Sequence, residues 1–431
     1  MTARAVGGYA RVRSQFKMAV GKFEGVEEAL TRIGAYTYMM DATRTMTAGA
    51  VDLGEKPSVV SAIAKYHVTE RARQVVNDGM DVVGGKGICL GPSNFIGRAY
   101  QQIPIGITVE GANILTRSLI IFGQGAIRCH PFLLPEMQAA QNPDTRQGLV
   151  DFDKALWGHV GFTVKNGFRT LWLGMTGSHF VSVNTDVAPE MKRYYQQLTR
   201  FSAAFAFLSD ISLLVLGGSV KRREKLSARL GDILAQMYLI SCTLKRYEDE
   251  GRNKADAALA HWAIWDSMYK AQEAMDGVIA NFPVRFIAAF LHRSIFPWGH
   301  PYVVPSDDVG HEVAKLLIAP SATRDRLTAE CFLPETENEP VGAIELALQA
   351  TLEAEAIEAK IREAEKAGRF ANNPRANVRD IATVAAECGV ITTAEAEVMR
   401  RRNHLRDIVV RVDDFPFDYN VATANKPAQS R

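Results

Sequence analysis

The sequence predicts an all-α protein, a helical bundle followed by a second, mostly helical extension, with the division between 136 and 188. Three observations carry that expectation. Apolar residues recur three or four positions apart over most of the chain, the period of one helix face. Runs alternating with period two, the mark of a half-buried strand, are almost absent. Clusters of glycine and proline cut the periodic stretches into helix-sized pieces.

Taken in order, Phe16, Val20, Phe23, Val26, Leu30, Ile33 and Met40 draw one stripe down a long helix from Tyr9 to Met40. A turn follows at Asp52 to Pro57. The next helix spans about Ser58 to Val83, with Pro57 suited to its start and Gly84-Gly85 ending it. Gly84 to Pro104 reads as a loop. A third apolar run extends from Ile107 to Ile127 and is stopped by Pro131 and Pro135. Residues 136–188 read as a mixed, glycine- and aromatic-rich connection. Helices then resume: a hairpin from Met191 to Asp249 broken at Gly217-Gly218, and a long stretch from Ala257 to Phe290 divided at Pro283. Pro297, Pro301 and Pro305 make Phe296 to Asp308 a loop. Ile344 to Lys366 is a helix closed by Gly368, and a last helical pair occupies Val378 to Val410. The tail from Ala422 is polar and loose.

At 431 residues the chain is long enough for about two or three domains. With 47% hydrophobic and 23% charged residues it is globular in composition, which excludes disorder and fibrous classes. Formal charge is +2, from 50 basic against 48 acidic side chains, so no basic excess exists to drive nucleic-acid binding. Five scattered cysteines without CxxC spacing read as reduced thiols of a cytoplasmic protein. Residues 1–20 interleave arginines with short apolar stretches and give no export signal. The apolar window Phe201 to Gly218 contains Asp210, and reads as a buried helix rather than a membrane span.

Three places carry candidate chemistry. Glu110 lies between Val109 and Gly111, with Ile105, Ile107, Ile114 and Leu115 around it. An apolar setting disfavours a carboxylate's charged form and suits a base working near neutrality. The alternative is a helix N-terminus, with Thr108 as cap and Glu110 in the first turn. Gly84-Gly85-Lys86-Gly87 follows a helix, so it is neither a Rossmann nor a phosphate loop; it either allows close backbone approach by a flat or phosphorylated group or simply ends the helix. Arg13 and Phe16, three apart on one helix face, could hold a phosphate beside a stacked ring, or be a solvated face. His300 and His311, with Asp307, Asp308 and Glu312, show no diagnostic ligand spacing, so no metal is expected. The basic run Lys221 to Arg229 is either a solvated helix face or a contact for anionic lipid.

The order YARVRSQF, VVGGKGICLG, ITVEGANILTRSLIIFGQGAIRCHP resembles the C-terminal helical domain of the acyl-CoA dehydrogenases, and most of all the large bacterial enzymes of fatty-acid β-oxidation. The likeness covers about residues 5–130, and the remainder, including SVKRREKLSARLGD, resembles the long extension of the large bacterial type. It implies three segments: 1–135 as the C-terminal helical domain, 136–188 as connection, and 189–431 as extension. It also implies FAD, an acyl-CoA substrate of medium or long chain, and a trans-2-enoyl-CoA product. By this likeness Glu110 is the base that removes the α-proton and Gly111 lines the substrate channel near the thioester. Arg13 and Phe16 match the family's R-x-x-F pair on a neighbouring subunit's FAD, and Gly84 and Gly85 match the glycines beside it. Ala112 falls at a flavin-contact position where threonine is common. Val109 replaces the usual tyrosine, Asp81 a frequent glutamine, and Lys17 a usual glycine. A homodimer sharing its flavins follows, with electron-transferring flavoprotein or a similar acceptor as partner. Peripheral contact at the inner face of the bacterial membrane is a further expectation. The family's N-terminal helical and middle β-domains have no counterpart here, so the chain is expected to be the C-terminal half of a longer or split enzyme. The competing expectation is a non-catalytic helical assembly or membrane-docking module.

Overall fold

A computed structural model describes residues 1–369 and 380–415. The predicted all-α class holds: the only strands among the described residues are a two-residue pair. In chain order the elements are α1 (Thr2–Val12), β1 (Ser14–Gln15), β2 (Met18–Ala19), α2 (Glu24–Asp52), α3 (Ser58–Val83), α4 (Gly85–Ile88), α5 (Gly97–Thr108), α6 (Asn113–Leu115) and α7 (Ile121–Cys129). There follow α8 (Leu133–Ala140), α9 (Thr145–Met175), α10 (Lys192–Leu216), α11 (Glu224–Asp249), α12 (Ala257–Ala280), α13 (Arg285–Ile295) and α14 (Asp307–Leu317). The last are α15 (Ala322–Leu327), α16 (Pro340–Lys366), α17 (Ile381–Glu387) and α18 (Thr393–Val410). The beginning of the predicted last pair, Val378, and the tail from Ala422 lie outside the described residues.

These helices form two compact units, each discontinuous in sequence. One comprises 1–33, 75–102 and 314–431; the other comprises 34–74 and 103–313. They cut across the sequence-contiguous segments 1–135, 136–188 and 189–431.

In the first unit α1 is buried almost throughout and packs on α16. Gly7 is required there, because a Cβ would come 2.4 Å from the Leu317 carbonyl oxygen. The lower part of α16 (Ala354, Ile357, Ile361, Ala364) buries against Ala382, Ala385 and Met399 of α17 and α18. A capping box of Thr392 and Glu395 starts α18.

The second unit is built on the hairpin of α11 and α12. Ile63, Ile121 and Ala235 form one apolar cluster, and Ala35, Met39, Leu239 and Ala263 another. The first fixes α3 and α7 against α11, and the second fixes α2 against α11 and α12. By length and composition, α10 continued to Arg222 can cross a bilayer (mean hydropathy 1.8). Yet it buries Phe201, Ala204, Phe207 and Leu208 within this unit, and Asp210 beside them accepts hydrogen bonds from His130 and Thr163.

The structure corrects four expectations. The stripe from Tyr9 to Met40 is not one helix: a hairpin separates α1 from α2, with Phe16 and Lys17 both left-handed (φ 51° and 64°) at its two-residue turn. Gly84 to Pro104 is not all loop, because Asn94 accepts the Ile96 and Gly97 amides and starts α5. The run after Ile107 is interrupted between Thr108 and Asn113. The connection 136–188 holds the longest helix, α9, of 31 residues, whose Asp144 cap accepts from the Arg146 and Gln147 amides.

Candidate active site

The expected flavin-side residues fall in the first unit. Arg13 ends α1 with extended backbone, so Arg13 and Phe16 do not share a helix face as predicted; they sit on either side of a hairpin strand. The Arg13 guanidinium donates to the Tyr9 hydroxyl at 2.7 Å, which in turn donates to the Val83 carbonyl. Among the described residues no carboxylate forms an ion pair with it. Phe16 is 91% exposed and meets only the edge of Phe23. Gly84 (φ 67°) and Gly85 face open space, with nothing within 4 Å of a built Cβ at either. Below them Lys86 is buried and donates to the Arg411 carbonyl; burial pulls its ammonium pKa down. A guanidinium bonded only to neutral oxygens, an exposed ring and a bare glycine surface suit a group that is flat, aromatic and anionic. FAD fits that description.

Glu110, Gly111 and Ala112 fall in the second unit, in the link between α5 and α6. Thr108 is the last residue of α5 and its hydroxyl bonds back to the Pro104 carbonyl, so it caps nothing downstream and the helix-N-terminus reading fails. Glu110 and Gly111 are consecutive left-handed residues, φ 55° and 89°. That conformation costs a non-glycine residue roughly 1–2 kcal/mol, and it is held from beneath. Lys65 of α3 donates to the Gly111 carbonyl at 2.5 Å and to Asn113 Oδ1 at 2.6 Å. Asn113 is buried and donates to Thr69 Oγ1 and Glu70 Oε1. Thr116 also reaches the Gly111 carbonyl. Desolvation lowers the Lys65 pKa, opposed by Glu70 and Glu110. The link is therefore a braced loop presenting one carboxylate.

The desolvated setting expected for Glu110 is not what the chain provides. Glu110 is exposed, and so are Ile105, Val109, Ile114 and Leu115 around it. Apolar neighbours in sequence do not bury a group when they line an open surface; here they form a ring ready to be covered.

Lys65, Thr69, Glu70 and Asn113 escaped the sequence reading. The signal was Lys65 and Thr69 four apart on one face of α3, but their partner lies 46 residues away from Lys65. A second missed group is His130, His159, Glu136 and Asp210, with the two imidazoles 4.6 Å apart. His130 Nδ1 accepts the Phe132 and Leu133 amides, so its proton is on Nε2 and goes to Asp210. A ring committed in that way caps α8 and is not free to ligate a cation through Nε2. His300 is drawn toward Asp276 and His292, not toward His311 as its sequence neighbourhood suggested.

Residues 127–415 match the family profile "Acyl-CoA dehydrogenase, C-terminal, bacterial type", and residues 2–122 match "Acyl-CoA dehydrogenase, C-terminal domain". The mitochondrial very long-chain specific acyl-CoA dehydrogenase of Mus musculus is 26% identical over 247 residues, covering 57% of this chain and 35% of its own length. A 3-(aryl)acrylate reductase of Clostridium sporogenes is 28% identical over 115 residues, 26% of this chain and 29% of that protein. The chain thus spans about a third of the curated relatives it matches. A crystal structure of an acyl-CoA dehydrogenase complexed with FAD from Bacillus anthracis shares the fold with a TM-score of 0.54 at 15% identity, covering 73% of this chain and 53% of that one.

Proposed function

This chain belongs to the acyl-CoA dehydrogenase family, and from that premise we propose that it carries the catalytic base of an FAD-dependent fatty acyl-CoA dehydrogenase of β-oxidation. The observation that carries this reading is the braced, left-handed Glu110-Gly111 loop, in which backbone strain and a half-buried Asn113–Glu70 contact serve to present a single carboxylate. Glu110 takes the α-proton of a medium- or long-chain acyl thioester, and its own backbone N–H assists at the thioester oxygen. Gly111 leaves room for the chain of the substrate. FAD, when bound, accepts the β-hydrogen as hydride. Arg13 and Phe16 with Gly84 and Gly85 hold the FAD of a neighbouring copy, which makes the enzyme a homodimer, and Ala112 lies along the flavin. Covering the ring of Ile105, Val109, Ile114 and Leu115 with substrate and flavin excludes water from the base. Electrons pass on to an electron-transferring flavoprotein or similar acceptor, in the cytoplasm.

The test is to purify the holoenzyme, record flavin absorbance near 450 nm (about 1 FAD per active site is expected for a flavoprotein of this kind), and assay palmitoyl-CoA with an artificial electron acceptor. Bound flavin bleached by palmitoyl-CoA is expected; a protein that purifies flavin-free, takes up no added FAD and is inactive refutes the reading.

One observation favours a second role beside the first. Along α9, Leu149, Trp157, Val164, Phe168, Trp172 and Met175 are all exposed, a continuous apolar stripe on a single helix. A face of that extent on a globular unit marks a docking surface. Trp157→Asp with Phe168→Asp is expected to weaken self-association or flotation with anionic liposomes at least tenfold while leaving helix content unchanged. Equal sedimentation and flotation of variant and parent refute a docking role for α9.

A further inference from the structure

We propose that a cleft of 580 Å³ in the second unit is a binding site for a phosphate-bearing small molecule of mononucleotide size, apart from the proposed dehydrogenase site. Its walls come from α2, α3, α11, α12 and the turn between α6 and α7, which bring Tyr36, Tyr66, Arg71, Arg117, Arg229 and Lys270 to one opening.

Glu70, Asp232, Asp266 and Glu273 match the four cations in number, but not every cation has an acid in contact. Arg117 is held by Asp232 through both its Nε and Nη2, and Lys270 by Asp266. Glu70 is engaged by Asn113 and Arg73. Among the described residues Arg71 and Arg229 make no direct ion pair, although the Asp232 charge acts on both. Arg71 is only 7% exposed, and its two bonds go to neutral groups, His67 Nδ1 at 2.9 Å and Gln236 Oε1 at 3.1 Å. Its Nε is buried without an acceptor. Because His67 accepts at Nδ1, its proton lies on Nε2, and that atom too is buried without a partner. Burial, with the Arg71 charge second, keeps this imidazole neutral, so it donates and adds no charge.

A guanidinium out of water without an anion is among the least tolerated arrangements in a protein interior. Here it lies at the wall of an open cleft with a second unpaired arginine. An anion bound in the cleft would give Arg71 a direct ionic partner, and the planar fork of Arg71 with Arg229 offers more donors than one carboxylate uses; a phosphoryl group takes them. The volume far exceeds a lone phosphate and lies in the range of small-molecule sites. The half-buried Tyr66 ring supplies an aromatic wall for an organic moiety.

The experiment is isothermal titration of the full chain with phenyl phosphate and, separately, inorganic phosphate. Saturable 1:1 binding is expected, tighter for phenyl phosphate, and weakened at least tenfold by Arg229→Met. Arg71→Met should do the same; if that variant does not fold, Arg229→Met and Arg229→Lys decide alone, the lysine recovering part of the affinity. Arg222→Met, on an exposed turn, is expected to bind as the parent does. Absence of saturable binding, or equal loss in Arg222→Met, overturns the site. Equal affinity for the two probes overturns the organic part of the ligand.

Discussion

Glu110→Gln in the flavin-loaded holoenzyme is expected to lower turnover of palmitoyl-CoA by about 10²–10⁴-fold, the usual worth of a positioned general base, with flavin content unchanged. The amide is isosteric, keeps the backbone N–H in place and cannot take the α-proton. Glu110 sits in the braced loop of the second unit, whereas Arg13, Phe16, Gly84 and Gly85, the residues proposed to hold the flavin, belong to the first, so the substitution is expected to leave them intact. Loss of kcat with an almost constant KM is therefore the expected pattern, because an interaction made only at the transition state has been removed. Glu110→Asp retracts the carboxylate by one methylene and should recover part of the rate. The measurement is steady-state kinetics beside the flavin spectrum. Turnover within twofold of the parent removes Glu110 from the role, and loss of flavin together with activity makes it a structural residue.

How far the sequence led can be judged from particular elements. The bounds of α3, Ser58 to Val83, were legible because Pro57 and Gly84-Gly85 are strong punctuation in single places. The break of α10 from α11 at Gly217 was legible for the same reason. The hairpin at Ser14 to Ala19 was not, because a turn with two left-handed residues normally announces itself with glycine or asparagine, and here it is Phe16-Lys17. The helix α9 was hidden by its glycines. Gly148, Gly158 and Gly174 look like loop residues, but each is a close contact: a Cβ would come 2.7 Å from the Ala139 carbonyl oxygen, 2.6 Å from Phe132 and 2.9 Å from Pro297. Packing demanded small residues where propensity alone would forbid a helix. At the site, the motif singled out Glu110 as the candidate base, but its exposure was not legible, since apolar composition around a residue says nothing about which way the surface opens. The Lys65 brace was out of reach because it joins segments far apart in sequence.

The largest stability effect is expected from Glu345→Ala, at about 3–5 kcal/mol, the cost of breaking a buried ion pair from one side. Glu345 on α16 receives Arg324 Nη1 and Nη2 at 2.9 and 2.5 Å and Arg4 Nη2 at 2.8 Å. The Arg324 side chain is 1% exposed and that of Arg4 11%, so removing the acid strands two guanidinium groups. Arg4 keeps Asp325, but that carboxylate is 63% exposed and well screened. Asp325→Ala is accordingly expected to cost roughly 0–1 kcal/mol. Urea unfolding of the three proteins checks the order, and a Glu345→Ala midpoint equal to the Asp325→Ala midpoint excludes the buried cluster as a source of stability. The same carboxyl sets a pH dependence. Burial alone would raise its pKa, but the hydrogen bonds and charges of Arg324 and Arg4 outweigh burial and hold it below the ordinary glutamate value. A pKa lower in the folded than in the unfolded chain contributes stability in full above about pH 4.3, the unfolded glutamate value, and loses it as pH falls through the folded one. The parent should therefore destabilise more steeply than Glu345→Ala as pH is lowered below that value. Identical acid limbs for the two proteins would show that protonation of this group does not drive the loss.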